Sequence, residues 1–326
     1  MSLPALRAVR QRFPDAVITV CARSWVSALY EGERSIDHIV ALEGAPGVRD
    51  WAAKRELIRR LRRGQFDLAI LFPNSFESAA VMRLAGVKRI VGYARDGRGL
   101  LLTDAIAVPK HGEIAAHERF YYLELLRRAG LIETLPEVPE IRLDGIGELR
   151  AKGEKLFETL GVKAPVIGVS PGAAYGSAKR WLPERFAESA ARLAADLGGS
   201  VAVFGSAAEK DLCGEVARAA QGRNLAGATE LRAFIEMTAA CSIFLTNDSG
   251  AMHIASAVGV PSLTVFGPTD ESATGPLGPA ARLVREAVDC APCLLRECPI
   301  DHRCMTRVTA DRVVLAAQEL LKVSRC

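Results

Sequence analysis

Short apolar runs rich in β-branched residues recur along the 326 residues of this chain, each followed by a helical pattern. That alternation restricts the fold more than any other feature. In the first half the runs are Ala16–Cys21, His38–Leu42, Phe66–Phe72, Arg89–Tyr93 and Ala105–Val108. The stretch FDLAILF reads as a strand covered on both faces, as parallel sheets require. ETLPEVPEIRLDGIGELR (133–150), with two prolines and two glycines, ends this series as a linker. A second series opens at PVIGVSPG and continues through SVAVFGS, IFLTND and PSLTVFG, with helical patterns at 183–197, 207–221, 229–240 and 249–259. Two such series predict two doubly wound α/β domains facing a cleft, 1–145 and 146–326. The start departs from that scheme. Leu3, Leu6, Val9 and Phe13 mark a helix with no strand ahead of it, so the first domain is expected to lack its first strand.

Hydrophobic residues make up 49% and charged residues 25%, an ordinary mixture for a globular chain. No apolar stretch reaches the length of a membrane span and no signal peptide is visible, so a cytoplasmic location is expected. The net charge of +4 is unevenly placed: residues 1–155 hold 25 Lys/Arg against 20 Asp/Glu, residues 156–326 hold 17 against 18. The basic half invites an anionic partner, or is simply a solvated surface. No nucleic-acid partner is expected.

In doubly wound folds ligands bind at the carboxyl ends of the strands. VSPGAAYGSAKRW (169–181) leads from a strand through small residues, Gly172 among them, to Lys179 and Arg180. Glycine lets backbone N–H groups approach a ligand, and two cations suit a phosphate or pyrophosphate. VFGSAAEKD places Gly205 and Ser206 at a second strand-to-helix junction, where unpaired helix N–H groups favour an anion. TNDSGAMHIA leaves a strand at Asn247, turns through Asp248, Ser249 and Gly250, and brings His253 into the first turn of a helix. FPNSFESAA ends its strand in Asn74 and Ser75. Ser, Asp and Asn before a helix are also ordinary N-caps. Three glycine or serine junctions in one domain, one with a basic pair, favour phosphate binding over capping alone.

GVSPG (168–172) matches the serine-hydrolase pattern G-x-S-x-G, but the residue after the serine is Pro171, which has no N–H for an oxyanion. No G-x-G-x-x-G follows any strand, which removes a dinucleotide reading. Four of the eight cysteines, Cys290, Cys293, Cys298 and Cys304, fall in CAPCLLRECPIDHRC beside His302. Their later gaps do not repeat a paired C-x-x-C, so reduced thiols are expected rather than a metal. Cys21, Cys213 and Cys241 read as core.

PNSFESA, SPGAAYGSAKRW, FGS, NLAG, TNDSGAMHIA and the four-cysteine segment occur in an order and spacing that resemble the heptosyltransferase II branch of glycosyltransferase family 9. The resemblance runs nearly end to end. It implies a GT-B fold of two Rossmann-like domains, acceptor on the first and nucleotide-sugar on the second. The implied reaction is inverting transfer of heptose from ADP-heptose to the inner core of lipopolysaccharide, at the cytoplasmic face of the inner membrane, with peripheral membrane association and no cofactor. A transferase of another nucleotide-sugar, or a non-catalytic nucleotide-sugar-binding remnant, is the alternative.

By the resemblance, Lys179 meets the donor phosphates with Arg180 as helper, and Ser249 and Gly250 offer N–H groups to the pyrophosphate. Asp248 accepts from heptose hydroxyls, and His253 lies beside sugar or phosphate. No Asp-x-Asp pair occurs in the chain, which argues against a metal-dependent transferase of the other common fold. The family's first strand, its Gly-Asp loop and the aspartate taken as general base would lie upstream of Met1. Nothing in the spacing of Glu77 or Asp96 recommends either as a substitute.

Overall fold

The computed structural model describes residues 1–43, 50–137 and 140–323. Val138 and Pro139 of the expected linker, and the terminal Cys326, lie outside them. The chain divides into two compact units, Met1–Glu140 and Ile141–Cys326.

Unit 1 runs α1 (Leu3–Arg12), β1 (Thr19–Arg23), α2 (Ser24–Ser27), β2 (His38–Leu42), α3 (Trp51–Arg63), β3 (Leu68–Leu71), α4 (Phe76–Ala85), β4 (Arg89–Tyr93), β5 (Asp104–Ile106) and α5 (Glu118–Arg128). Every strand pairing is parallel: β1 with β2 in one sheet, β3 with β4 and β5 in another. The opening helix forms as its spacing requires. Pro4 sits in the first turn, where its missing N–H costs nothing, and Leu3, Ala5, Leu6 and Ala8 are buried. Strand β1 begins three residues later than its apolar run, because nearby groups claim the earlier backbone. Arg10 donates to the Ala16 carbonyl at 2.7 Å, and Ile18 N–H donates to the Asp37 carboxylate at 2.7 Å.

Unit 2 runs α6 (Ile146–Thr159), β6 (Val166–Ser170), α7 (Pro183–Leu197), β7 (Ser200–Val203), α8 (Lys210–Ala219), β8 (Arg223–Asn224), α9 (Leu231–Ala239), β9 (Ile243–Asn247), α10 (Gly250–Ala257), β10 (Ser262–Phe266), α11 (Glu271–Thr274), β11 (Ala281–Arg285), α12 (Arg303–Thr306) and α13 (Ala310–Val323). The sheet order is β11-β10-β9-β6-β7-β8, every pairing parallel. The chain therefore winds outward from β6 through β7 to β8, returns to β9, and winds out the other way. The order reverses between β6 and β9, paired from Ile167↔Ile243 to Ser170↔Thr246. A crevice at the carboxyl ends of those two strands is where this topology places a ligand. Strands β6, β9 and β10 are buried at every residue, the consequence of helices on both faces.

The last residues of the stretch read as linker belong instead to α6. Gly145 and Gly147 suggest a break, yet the helix starts directly after Gly145; further along, Gly153 is there for contact, since a Cβ on it would lie 2.0 Å from the Glu236 carbonyl oxygen of α9. Gly153→Ala is expected to lower stability by about 1–3 kcal/mol through overpacking, visible as a drop in the thermal midpoint.

Candidate functional site

Two loops leave the switch point of unit 2, one after β6 and one after β9, and Asn247 ties them together. Its buried side-chain amide donates to the Pro171 carbonyl at 2.7 Å, while its Oδ1 accepts the Trp181 N–H at 2.9 Å. Trp181 is 1% exposed, stands edge-on to Phe186 and donates Nε1–H to the Val308 carbonyl at 3.0 Å. The loop bearing Lys179 and Arg180 is thus anchored in the core just after the basic pair.

Lys179 points to the β9 side of the crevice. Its Nζ lies 2.5 Å from Asp248 Oδ2, and the same oxygen accepts the Thr269 hydroxyl at 2.6 Å. Both partners are largely shielded from water, with side-chain exposures of 13% for Lys179 and 5% for Asp248, so the pair acts in a medium that strengthens charge interactions. Ser249 follows as the N-cap of α10, its hydroxyl 3.3 Å from that of Thr246. The opening amides of a helix have no intrahelical acceptor, and a side chain built on Gly250 would meet nothing within 4 Å. Helix α10 begins two residues after the carboxylate that Lys179 pairs with, and its N-terminus carries the positive end of the helix dipole. His253 lies half-buried in the first turn of α10. The Arg180 guanidinium makes one long bond, 3.5 Å to the Ala173 carbonyl, and its buried Nε has no partner among the described residues. A guanidinium held this loosely keeps donors in hand for an anion.

The β7 junction is arranged differently. The Ser206 N–H and hydroxyl both donate to Glu209 Oε2, each at 2.8 Å. A Cβ on Gly172 would fall 1.9 Å from Glu209 Oε1, and one on Gly205 would fall 2.6 Å from Cys213 Sγ. Gly172, Gly205 and Ser206 therefore gather around a carboxylate of the protein's own, which the sequence reading did not single out. The first-domain pair is likewise engaged: Asn74 donates to the Tyr121 hydroxyl at 2.9 Å and accepts from buried Arg98 at 3.2 Å, while the Ser75 hydroxyl caps α4 through the Ser78 N–H at 3.2 Å. Glu77 pairs with Lys54 at 3.1 Å, and Asp96 lies 3.8 Å from Arg95.

Sequence reasoning also missed Asn247, Thr269, Tyr175 and the contacts of His302. Asn247 ends β9 within a stretch already singled out, whereas Thr269 lies in the loop after β10, which was not; only the fold shows which side chains they hold. Cys213 and Cys304 are buried, and burial pushes their thiols up to about 12 and about 11 respectively. Cys241 is buried too, with its thiol raised further by the same cause. Among the described residues no group of three or more His, Cys, Asp or Glu side chains could hold a metal ion.

Solved structures share this architecture. The structure of E. coli ADP-heptose lps heptosyltransferase II superposes with a TM-score of 0.83 at 27% identity, covering 100% of this chain and 95% of that one. E. coli heptosyltransferase WaaC with ADP superposes with a TM-score of 0.73 at 18% identity, covering 98% and 95%. The fold is that of the GT-B glycosyltransferases, with a cationic, helix-capped crevice in the second Rossmann-like unit. Residues 54–303 match glycosyltransferase family 9 (heptosyltransferase). The chain is 33% identical over 295 residues to lipopolysaccharide heptosyltransferase 2 of E. coli K12, covering 87% of this chain and 84% of that protein. It is 29% identical to lipooligosaccharide heptosyltransferase 2 of Haemophilus ducreyi, covering 98% and 95%. The chain belongs to glycosyltransferase family 9.

Proposed function

We propose that this chain transfers heptose from ADP-heptose to the inner core of lipopolysaccharide, with inversion at the sugar carbon. The observation that carries the donor half is the pairing of Lys179, from the loop after β6, with Asp248, between β9 and α10, across the switch point. In the reaction an acceptor hydroxyl oxygen bonds to the anomeric carbon as its bond to the phosphate oxygen breaks. The hydroxyl proton leaves to a base, and the bonding pair departs on ADP. Negative charge therefore grows on the diphosphate in the transition state. The Lys179 ammonium, the Arg180 guanidinium and the Ser249 and Gly250 N–H groups are fixed donors that meet it without reorganisation. Gly172 keeps the facing loop free of a side chain. Asp248 has one oxygen committed to Lys179 and Thr269, which leaves Oδ1 to accept from heptose hydroxyls, and His253, in the first turn of α10, serves as a further sugar or phosphate contact. Gly205 and Ser206 join the donor site through Glu209 rather than as direct phosphate donors.

The acceptor half rests on charge. Helix α3 buries Lys54, Ile58 and Leu61 and exposes Arg55, Arg59, Arg60, Arg62 and Arg63 against one acidic residue, Glu56. An acidic, phosphate-bearing core or an anionic lipid surface fits that face. Among the described residues no helix is long and apolar enough to cross a membrane. Changing Arg59, Arg62 and Arg63 together to glutamate is expected to raise the acceptor KM about tenfold or more while the ADP-heptose KM stays within about twofold, since removed charges act on the partner that faces them. The reading itself is tested by assaying purified protein with ADP-heptose and heptose-deficient core acceptors. Failure with every heptose donor, alongside turnover of a different nucleotide-sugar, contradicts it.

A further inference from the structure

The cysteine-rich segment takes no part in the chemistry above, yet its contacts fall on the loop that carries Lys179. Ala178, the residue before Lys179, is 2% exposed and is gripped on both sides. Its N–H donates to the Arg296 carbonyl at 2.9 Å, and its own carbonyl lies 2.8 Å from His302 Nε2. A carbonyl only accepts, so that ring nitrogen carries the hydrogen. Tyr175 donates its hydroxyl to the Leu294 carbonyl at 2.7 Å, and its ring centroid lies 4.8 Å from Lys179 Nζ and 5.3 Å from the Arg296 guanidinium. The two backbones approach so closely that a Cβ on Gly176 would lie 2.2 Å from the Arg296 oxygen. The segment is itself tied down. Leu294 N–H donates to the Pro268 carbonyl at 2.8 Å, Cys304 is buried in the unit 2 core, and His302 holds a left-handed φ of 54° at the start of α12.

We infer that residues 294–302 form a clasp that positions the Lys179 ammonium, with His302 and Tyr175 as its positioning residues. Lysine carries its charge on a flexible four-carbon stem, and the loop before it is built of small residues. Without an outside hold, ordering both would be charged against donor binding. The clasp fixes the backbone at Ala178, while the Tyr175 ring and Asp248 fix the head group. The proposal rests on the donor-phosphate reading, so its test separates the two.

The experiment titrates ADP into the full chain by calorimetry for the wild type, H302A, H302Q, Y175F, K179A and the H302A/K179A pair, with the thermal midpoint of each recorded. H302A is expected to bind ADP about tenfold more weakly and Y175F about threefold, because coupling between neighbours in one network is of that order. Glutamine carries an amide N–H that reaches the same carbonyl, so H302Q recovers to within about threefold of wild type. The pair binds no more than about twofold more weakly than K179A alone, since a positioning residue has nothing left to position. Wild-type ADP affinity in H302A and Y175F, with K179A weakened, overturns the clasp and leaves the donor reading standing. Additive losses in the pair overturn it too, because His302 would then act independently of Lys179. Unchanged affinity in K179A overturns the donor reading, and the clasp falls with it.

Discussion

Replacing Lys179 with alanine lowers turnover with ADP-heptose by roughly 100- to 1,000-fold, the scale of losing one preorganised donor that meets charge as it develops. The loss falls mainly on kcat, because departing ADP needs the ammonium more than ground-state ADP-heptose does. The variant also strands Asp248, a carboxylate 5% exposed, with Thr269 as its remaining partner. Breaking a partly buried pair destabilises by itself, and the second change D248N separates the two effects. The K179A/D248N protein regains most of the thermal midpoint lost in K179A without regaining turnover. Lys179→Arg recovers only part of the rate, since a planar fork on a different stem does not place its charge where the ammonium stood. Steady-state kinetics over a donor series, with melting curves for each variant, read all of this.

Trp181→Ala is expected to lower the stability of unit 2 by about 3–5 kcal/mol, the cost of emptying a large aromatic site. The indole fills the core against Phe186, and its N–H satisfies the Val308 carbonyl. Trp181→Phe keeps most of the volume, and the Val308 carbonyl keeps its bond from Arg185, so the loss is smaller, about 1–2 kcal/mol. Denaturant unfolding by circular dichroism measures both. Trp181 directly follows the basic pair, so losing its side-chain anchor in the core also loosens Lys179, although the backbone N–H to Asn247 remains. Its ADP affinity falls at temperatures where the protein is still folded.

The sequence made the parallel strands legible because burial on both faces leaves no charged residue to interrupt them, as in IFLTN and SLTVF of β9 and β10. The junction loops were legible for a related reason: chains that leave a strand toward a ligand need Gly, Ser and Asn in a short space. Lys179, Asp248 and Ser249, separated by as much as 70 residues, lie at one crevice because β6 and β9 are neighbours in the sheet. Local pattern failed where tertiary contact decided. Gly145 and Gly147 looked like linker, yet α6 begins directly after Gly145 and packs on α9, whose backbone Gly153 admits. The serine of VFGSAAEKD looked ready for phosphate, but Glu209, three residues on, reaches back to it. Its spacing, Ser-x-x-Glu, is that of a capping box and was open to reading. The hold of His302 on Ala178 joins residues 124 apart, and no spacing rule reaches that far.

A structure of this chain with ADP bound tests the central claim most directly. The account predicts the diphosphate at the carboxyl ends of β6 and β9, with Lys179 Nζ and the Gly250 N–H both within about 3 Å of its oxygens. ADP bound elsewhere in unit 2, or a diphosphate that touches neither Lys179 nor the start of α10, would contradict it.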